Sequence, residues 1–440
     1  MSDITNIPIT TDRFDAIIVG AGPAGLSAAC TLADGGARVA VIERGDWPGS
    51  KNMMGGLVFS QPTAQVAPEF WKKAPLERHI TRREMWLTTG ESVVRAAYES
   101  TDFGAEPYNS FSVFRSRFDK WLAGEARAKG AIIITETLVE DLLMEGDRVV
   151  GVRTGRPEGD LEADVVILCE GVNPFLAEKA GLSKGVKPES LALAVKEVLA
   201  LPREKLEDRF NLDEGNGAAY EVIGEITGGI PGTGFIYTNR DTVSIGVGVI
   251  LKDMVDQTAE AYALLERFKA QPQVQRLIHG ASPREYAAHL IPEGGYRGMP
   301  RLHGNGVLIA GDAAGMVNAV FTEGANLALL SGKMAAETVL RAMECGSFEA
   351  ITLDHYRQQL EKSIIMKDLK TFQDVTPFLS SHPHFFTMYP ELASAAVKEL
   401  LTVDSLSKAD KMHLIIKLVR SQRPARKLMK DLYDGWRTFS

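Results

Sequence analysis

The sequence predicts an α/β protein: a Rossmann-type dinucleotide-binding domain, split by an inserted, mainly antiparallel sheet domain and followed by a helical C-terminal region. Three stretches carry that reading. Phe14–Arg44 runs strand, glycine turn, helix, strand; residues 186–290 alternate as short strands; Gly306–Glu337 returns to a buried strand followed by a small-residue helix.

In FDAIIVGAGPAGLSAACTLADGGARVAVIER the pattern places a strand at Asp15–Val19, a helix at Gly25–Asp34 and a second strand at Ala37–Ile42. Between the first two lies Gly20-Ala21-Gly22-Pro23-Ala24-Gly25. The first glycine allows the tight turn, the second lets backbone approach a pyrophosphate, and the third permits close helix–strand packing; the helix N-terminus then offers N–H donors to phosphate. Glu43 ends the second strand, where a carboxylate accepts hydrogen bonds from an adenosine ribose, and Arg44 beside it joins the candidate contacts. In the loop that follows, Met54 and Gly55-Gly56 allow close approach to a bound ring.

Composition sets outer bounds. The chain has 440 residues, 45% hydrophobic and 24% charged, with a net charge of −8, which argues against nucleic-acid binding. Cys30, Cys169 and Cys345 are scattered, which excludes a redox dithiol and a four-cysteine cluster site, and all three read as buried apolar residues. The first residues show no basic-then-apolar signal, and no apolar run is long enough to span a bilayer, so a cytoplasmic or peripheral location is expected. Residues 401–440 hold nine Lys/Arg and four Asp/Glu, and their basic and apolar residues interleave. That pattern suits an anionic surface, but the favoured expectation is a helix, broken at Pro424, packing its Leu/Ile/Trp face on its own protein.

Further along, Glu84–Glu99 alternates around Thr89-Gly90 as a hairpin, and Val113–Gly130 reads as an amphipathic helix with Arg115 at its start, where a guanidinium could meet a phosphate or ring carbonyl. Strands follow in Ala131–Met144 and Arg148–Thr154, and the strand in Ala163–Gly171 ends at Glu170-Gly171, facing the cleft. In the insertion, strands are predicted at Leu191–Leu199, Ala218–Ile226, Gly234–Thr238 and Thr242–Ile250, with a helical piece over 257–279 and no second G-x-G-x-x-G. Phe235, Tyr237, Val247 and Val249 are expected to cover the bound ring. In the last stretch, Val307–Ala310 leads into Gly311-Asp312, where a carboxylate can hold a ribityl chain, and Gly324-Ala325-Asn326 opens a helix whose N-terminus would stabilise a reduced flavin. Together these pieces point to FAD. The expected organisation is an FAD-binding domain in three parts (12–75, 111–185, 291–345), a cap hairpin (76–110), the inserted cap sheet (186–290) and the helical region (346–440).

PGSKNMMGG (48–56), FRSRFDKWLAGEA (114–126), GFIYTNRDTVSIGVG (234–248) and HLIPEGGYRGMPRLHGNGVLIAGDAAGMVN (289–318) bring a family into view. The chain resembles the FixC-type flavoproteins, relatives of electron-transfer flavoprotein:quinone oxidoreductase within the wider FAD group of geranylgeranyl reductases and aromatic hydroxylases. The resemblance implies that the glycines and Glu43 hold the ADP half of FAD. It also implies that Arg115, Val139, Gly171 and Asp312 bind elsewhere along it and that Gly324-Ala325-Asn326 meet the flavin. Glu170-Gly171 stands where the family usually has Asp-Gly, and Ala177 where hydroxylases carry an arginine, which counts against an NADPH-dependent hydroxylase.

The implied activity takes electrons from electron-transfer flavoprotein subunits to a membrane quinone, in a complex that could bifurcate electrons. Nothing after Cys345 can ligate an iron–sulfur cluster, so a small ferredoxin-like partner would supply one. FAD is expected to be noncovalent, since neither the 20–25 nor the 311–312 segment holds a His or Cys. No nucleophilic triad or metal-ligand spacing stands out, and His382 and His384 read as loop residues. The alternatives are a flavin-dependent reductase of isoprenoid double bonds and a non-catalytic, FAD-stabilised scaffold.

Overall fold

The computed structural model describes residues 13–51 and 56–439. Its first sheet is built on Phe14–Val19, with Val39–Ile42 parallel on one side and Asp160–Leu168 parallel on the other. Ile132–Ile134 extends it beyond Val39–Ile42, and Val307–Ile309 beyond Asp160–Leu168. The inner parts of these runs, residues 16–19, Val39–Ile42, residues 165–168 and Val307–Ile309, are continuously apolar because helices cover both faces of a parallel sheet. The helix Pro23–Asp34 crosses Ala325–Cys345 so closely that a Cβ at Gly332 would lie 2.0 Å from the Ala24 carbonyl oxygen. The small residues of both helices make that approach possible. A hairpin, Val139–Glu145 and Arg148–Thr154, attaches antiparallel to the start of Asp160–Leu168.

The second sheet has nine strands and joins segments far apart in sequence. Its path runs Ser282–Pro292, Leu191–Ala200, Thr242–Ile250, Gly232–Thr238, Asn216–Gly224, Leu76–Thr88, Ser110–Val113 and Leu57–Phe59, with Val93–Glu99 paired to Leu76–Thr88. The expected cap hairpin and the inserted sheet thus meet in one surface. Their junction, Asn216–Gly224 against Leu76–Thr88, is its parallel pairing, because these strands are not joined by a turn. The helical piece expected over 257–279 resolves into Ala261–Ala270 and Pro272–Ile278; a further helix, Leu251–Asp256, precedes it, and the strand Ser282–Pro292 that follows was not predicted.

One face of this sheet packs Trp86, Tyr220, Ile236, Ile245, Val247 and Val249 against Leu206, Leu265 and Phe268 of the covering helices. That corrects the expectation for Val247. Directly opposed antiparallel residues share a face, and Val247 is opposite Gly234 while Phe235 is opposite Gly246. Val247 therefore points to the helices and the two aromatic rings to the other side, while Val249, near the strand end, packs in the same cluster yet also borders the cavity, as expected.

Beyond Cys345, which is exposed rather than buried as expected, the chain forms helices only. The last two, Lys408–Gln422 and Ala425–Phe439, break at Pro424 as predicted, but the final one is oriented opposite to expectation. Its buried residues are Asp431 and Thr438, whereas Met429, Leu432 and Trp436 are 66%, 61% and 70% exposed. The cause is an ion hub. Asp431 accepts two hydrogen bonds from Arg423 (2.7 Å each) and one from the Tyr389 hydroxyl (2.7 Å), with His384 Nε2 at 3.2 Å. His384 is therefore more than the loop residue expected.

Burial alone would raise the Asp431 pKa, but the Arg423 and Tyr389 hydrogen bonds hold it at about 2. Its stabilisation is thus complete above the unfolded carboxylate pKa of about 4 and is lost as pH falls through about 2. Asp431→Ala should destabilise the C-terminal region by about 3 kcal/mol at pH 7, since it strands Arg423. Hydrogen exchange of residues 383–439 measures that loss, and unchanged protection would remove Asp431 from its structural role.

Candidate functional site

The two sheets and the C-terminal helices enclose a cavity of about 300 Å³. Its floor begins at the glycine turn. Gly20 has φ +102°, and a Cβ there would sit 2.3 Å from the Cys169 carbonyl oxygen; one at Gly25 would sit 1.9 Å from the Gly20 carbonyl oxygen. At Gly22 a Cβ would meet nothing within 4 Å, because Gly22, Pro23 and Ala24 border the cavity. Gly20 and Gly25 are therefore required by the protein's own packing, whereas Gly22 faces open space. Glu43 braces the turn: its carboxylate accepts from Ala21 N–H at 2.9 Å and Gly45 N–H at 2.7 Å. One acceptor position per oxygen remains for a ribose hydroxyl. Arg44 is exposed to solvent.

Further in, Arg115 and Asp312 line the cavity from opposite ends of the sequence. Arg115 is the first residue of the helix Arg115–Ala128 and holds Asp119 through Nε (2.8 Å) and Nη2 (2.7 Å). Burial raises the Asp312 pKa, partly offset by the Arg115 charge. Gly311, with φ +68°, donates its N–H to Ser331 Oγ at 3.0 Å, which ties the strand end to the helix Ala325–Cys345. That helix begins after Gly324, and Gly324, Ala325 and Asn326 all border the cavity. Asn326 gives its amide N–H to Glu323 at 2.7 Å, while its buried Oδ1 has no partner among the described residues.

Glu170 and Gly171 divide their roles. The Glu170 carboxylate accepts the N–H groups of Leu176 (2.8 Å) and Ala177 (3.1 Å), capping a short helix, and burial lifts its pKa to about 7. Gly171, at φ +76°, faces the cavity. Val139 is buried in the main core and its side chain is not part of the lining, so only its main chain could serve a cofactor. Gly56 lines the site and a Cβ on it would fall 2.6 Å from the Tyr237 ring; Met54 and Gly55 lie outside the described residues.

The cap supplies the roof. Phe235 and Tyr237 stack with ring centroids 5.0 Å apart and border the cavity as expected. Opposite them the strand Thr242–Ile250 presents Gly246, where a Cβ would lie 2.3 Å from Phe235, so the rings lie flat over glycine. Several lining residues were not foreseen: His289, Ile291 and Glu293 from the missed strand and its end, and Thr376, Leu379 and Phe386 from the C-terminal helices. The alternation of HLIPE was visible, but nothing local showed which face it presents. Burial, then the Arg115 and Arg44 charges, lowers the His289 pKa.

A cleft at a glycine turn, a carboxylate at the next strand end and a helix N-terminus bordering the same cavity as an aromatic roof define an FAD-dependent oxidoreductase. The comparisons agree. Residues 13–208 match an FAD binding domain model, and residues 375–440 match the ETF-QO/FixC family C-terminal domain. The chain is 42% identical to protein FixC of Bradyrhizobium diazoefficiens and 44% identical to protein FixC of Azotobacter vinelandii, each over 97% of this chain and 99% of the relative. It belongs to the FixC family. In fold it is similar to a geranylgeranyl bacteriochlorophyll reductase-like protein from Thermoplasma acidophilum (TM-score 0.73, 18% identity, 96% of this chain and 99% of that one).

Proposed function

We propose that this flavoprotein accepts electrons from an electron-transfer flavoprotein, with a small ferredoxin-like iron–sulfur protein, and delivers them through noncovalent FAD to a membrane quinone. The observation that carries the reading is the mixed character of the cavity lining. Part of the lining is the polar cradle of Gly22, Arg115 and Asp312, and part is the apolar wall that Val375, Leu379 and Phe386 of the C-terminal region supply. That wall abuts the final helix, where Phe378 meets Phe439 at 6.4 Å between centroids. Met429, Leu432, Tyr433 and Trp436 stand exposed on the same helix, interleaved with Lys427, Lys430 and Arg437. No helix among the described residues is long and apolar enough to cross a membrane. An apolar stripe with basic flanks suits a helix lying in an anionic bilayer surface. A quinone would pass from there to the flavin.

In this reading the open space over Gly22 takes the pyrophosphate, Glu43 the adenosine ribose, Asp312 the ribityl chain, and the Gly324-Ala325-Asn326 helix start the flavin, with the unpartnered Asn326 Oδ1 free to accept. FAD when bound supplies two-electron redox chemistry. The chain's own part is to orient it, to exclude water beneath Phe235 and Tyr237, and to keep positive helix-end potential at the ring. Asp312→Ala should weaken FAD retention by about 1.5–3 kcal/mol, the worth of a hydrogen bond to a charged group. Dialysis against excess apoprotein measures it, and unchanged affinity would remove Asp312 from the site.

The test of the reading uses two quinones. Anaerobically reduced holoprotein should be reoxidised both by a soluble short-chain quinone and by a long-chain quinone in anionic vesicles. Replacing Leu432 and Trp436 by Glu should cut the vesicle-bound rate at least about 10-fold, given about 1.5–3 kcal/mol per buried apolar side chain, while sparing the soluble one. Reoxidation by neither quinone contradicts the proposal.

A further inference from the structure

We propose that Glu293 is the proton donor to the quinone, an inference that rests on the function proposed above. Glu293 follows directly on the strand Ser282–Pro292, whose inner-face residues His289 and Ile291 lie opposite Ala194 and Ala192. It continues that alternation and lines the cavity at the end where Val375, Thr376 and Leu379 form the apolar wall. Its backbone is held on both sides: its N–H donates to the Ser190 carbonyl at 2.8 Å, and its carbonyl accepts from the Thr376 hydroxyl at 3.1 Å. Its carboxyl, by contrast, makes no hydrogen bond or ion pair among the described residues. A carboxyl held in place by its main chain, free at its tip and facing a half-apolar cavity has no structural task there.

The charged groups on the surrounding elements are engaged elsewhere. Arg297 pairs with Asp374, Lys370 pairs with Glu361 and covers Tyr296, and Glu189 beside Ser190 is exposed. His289 lies four residues back along the strand, nearer Arg115. None of these shifts Glu293: burial alone lifts its pKa to about 7. The group is thus an acid at neutral pH, the range in which general acids work best.

The step balances. Reduced FAD, when bound, would supply the quinone with a hydride equivalent, two electrons and one proton, FAD being oxidised and the quinone reduced. The quinol needs one further proton, which breaks from the Glu293 O–H and forms the second quinol O–H. Glu293 is left as carboxylate and takes a proton back from solvent. An apolar quinone pocket admits little water, so a carboxyl at its wall is a direct route for that proton.

Glu293→Gln keeps the shape and removes the proton. In single-turnover reoxidation of the reduced holoprotein, the ratio of the quinone rate to the ferricyanide rate should fall at least about 10-fold, since ferricyanide takes electrons without protons. The wild-type quinone rate should decline as pH rises through 7, and the variant should lose that limb. Another readout needs no turnover. The wild-type carboxyl stays protonated in the fold between about pH 4.3 and 7 but not in the unfolded chain, so its contribution to stability falls across that window. The melting temperature of the variant relative to wild type should therefore rise between pH 5 and pH 8. A wild-type protein that reduces quinone alongside a variant with an unchanged rate ratio and pH profile overturns the role of Glu293 alone; a wild-type protein that reduces no quinone overturns the functional reading with it.

Discussion

Replacing Gly25 by valine should give a chain that purifies without flavin and melts well below the wild type. A Cβ at this position would lie 1.9 Å from the Gly20 carbonyl oxygen and 3.1 Å from the Ile18 side chain, and neither can yield. Gly20 is tied by its N–H to the Ile42 carbonyl at 2.8 Å, Leu26 N–H to the Gly22 carbonyl at 2.9 Å, and Ile18 is fully buried between two parallel strands. Inserting three carbons there forces the helix Pro23–Asp34 off the sheet, at a cost of about 3 kcal/mol or more. Gly22→Val is the informative partner. Its side chain would enter open space, so the fold should survive while the flavin-to-protein absorbance ratio drops sharply. A Gly22→Val protein with full flavin content would show that the pyrophosphate does not lie over this turn.

How much was readable from the chain varies with how local the cause is. The glycine turn was legible because much of its constraint is local: Gly25 excludes a side chain by contact with Gly20, and Gly20 itself turns at φ +102°, although the Cys169 carbonyl that also bars a Cβ there comes from a distant strand end. Glu43, Gly311-Asp312 and the helix opening at Gly324 were legible for the same reason, as strand ends and a helix start. The cap was legible as strands but not as a surface. Phe235 and Val247 both sit in alternating runs, and only the pairing Phe235–Gly246 and Gly234–Val247 decides that they face opposite ways. The glycines at 246 and 248 were the available clue, since a strand face without side chains leaves room for rings from its neighbour. Glu293 was hidden because its importance comes from what surrounds it, drawn from residues near 190 and 376. The last helix shows the limit most clearly. Its amphipathic pattern was evident, yet the inward face is the one carrying Asp431, whose partners Arg423, Tyr389 and His384 are scattered over the preceding 47 residues. An ion hub assembled in three dimensions outranked an apolar stripe.

The largest functional effect should come from the protein partners. A buried flavin with no second nucleotide fingerprint has no evident binding place for NADH, and among the described residues no three His, Cys, Asp or Glu side chains gather to hold a metal. Cys30 and Cys169 are buried, and desolvation pushes both thiols up, Cys30 to about 12, so neither offers a reactive thiolate. In the proposed function electrons arrive instead across a protein surface. The basic last 40 residues and the acidic remainder, carrying +5 and −13, give surfaces of opposite sign for docking, so association should weaken with salt. The most direct measurement is NADH-dependent reduction of a quinone by purified holoprotein, first alone and then with electron-transfer flavoprotein subunits and the small iron–sulfur protein. The account predicts negligible turnover alone, at least about 100-fold more with the partners, and loss of that gain at high salt. Rapid NADH oxidation coupled to quinone reduction by this chain alone would contradict it and mark a self-sufficient flavin reductase instead.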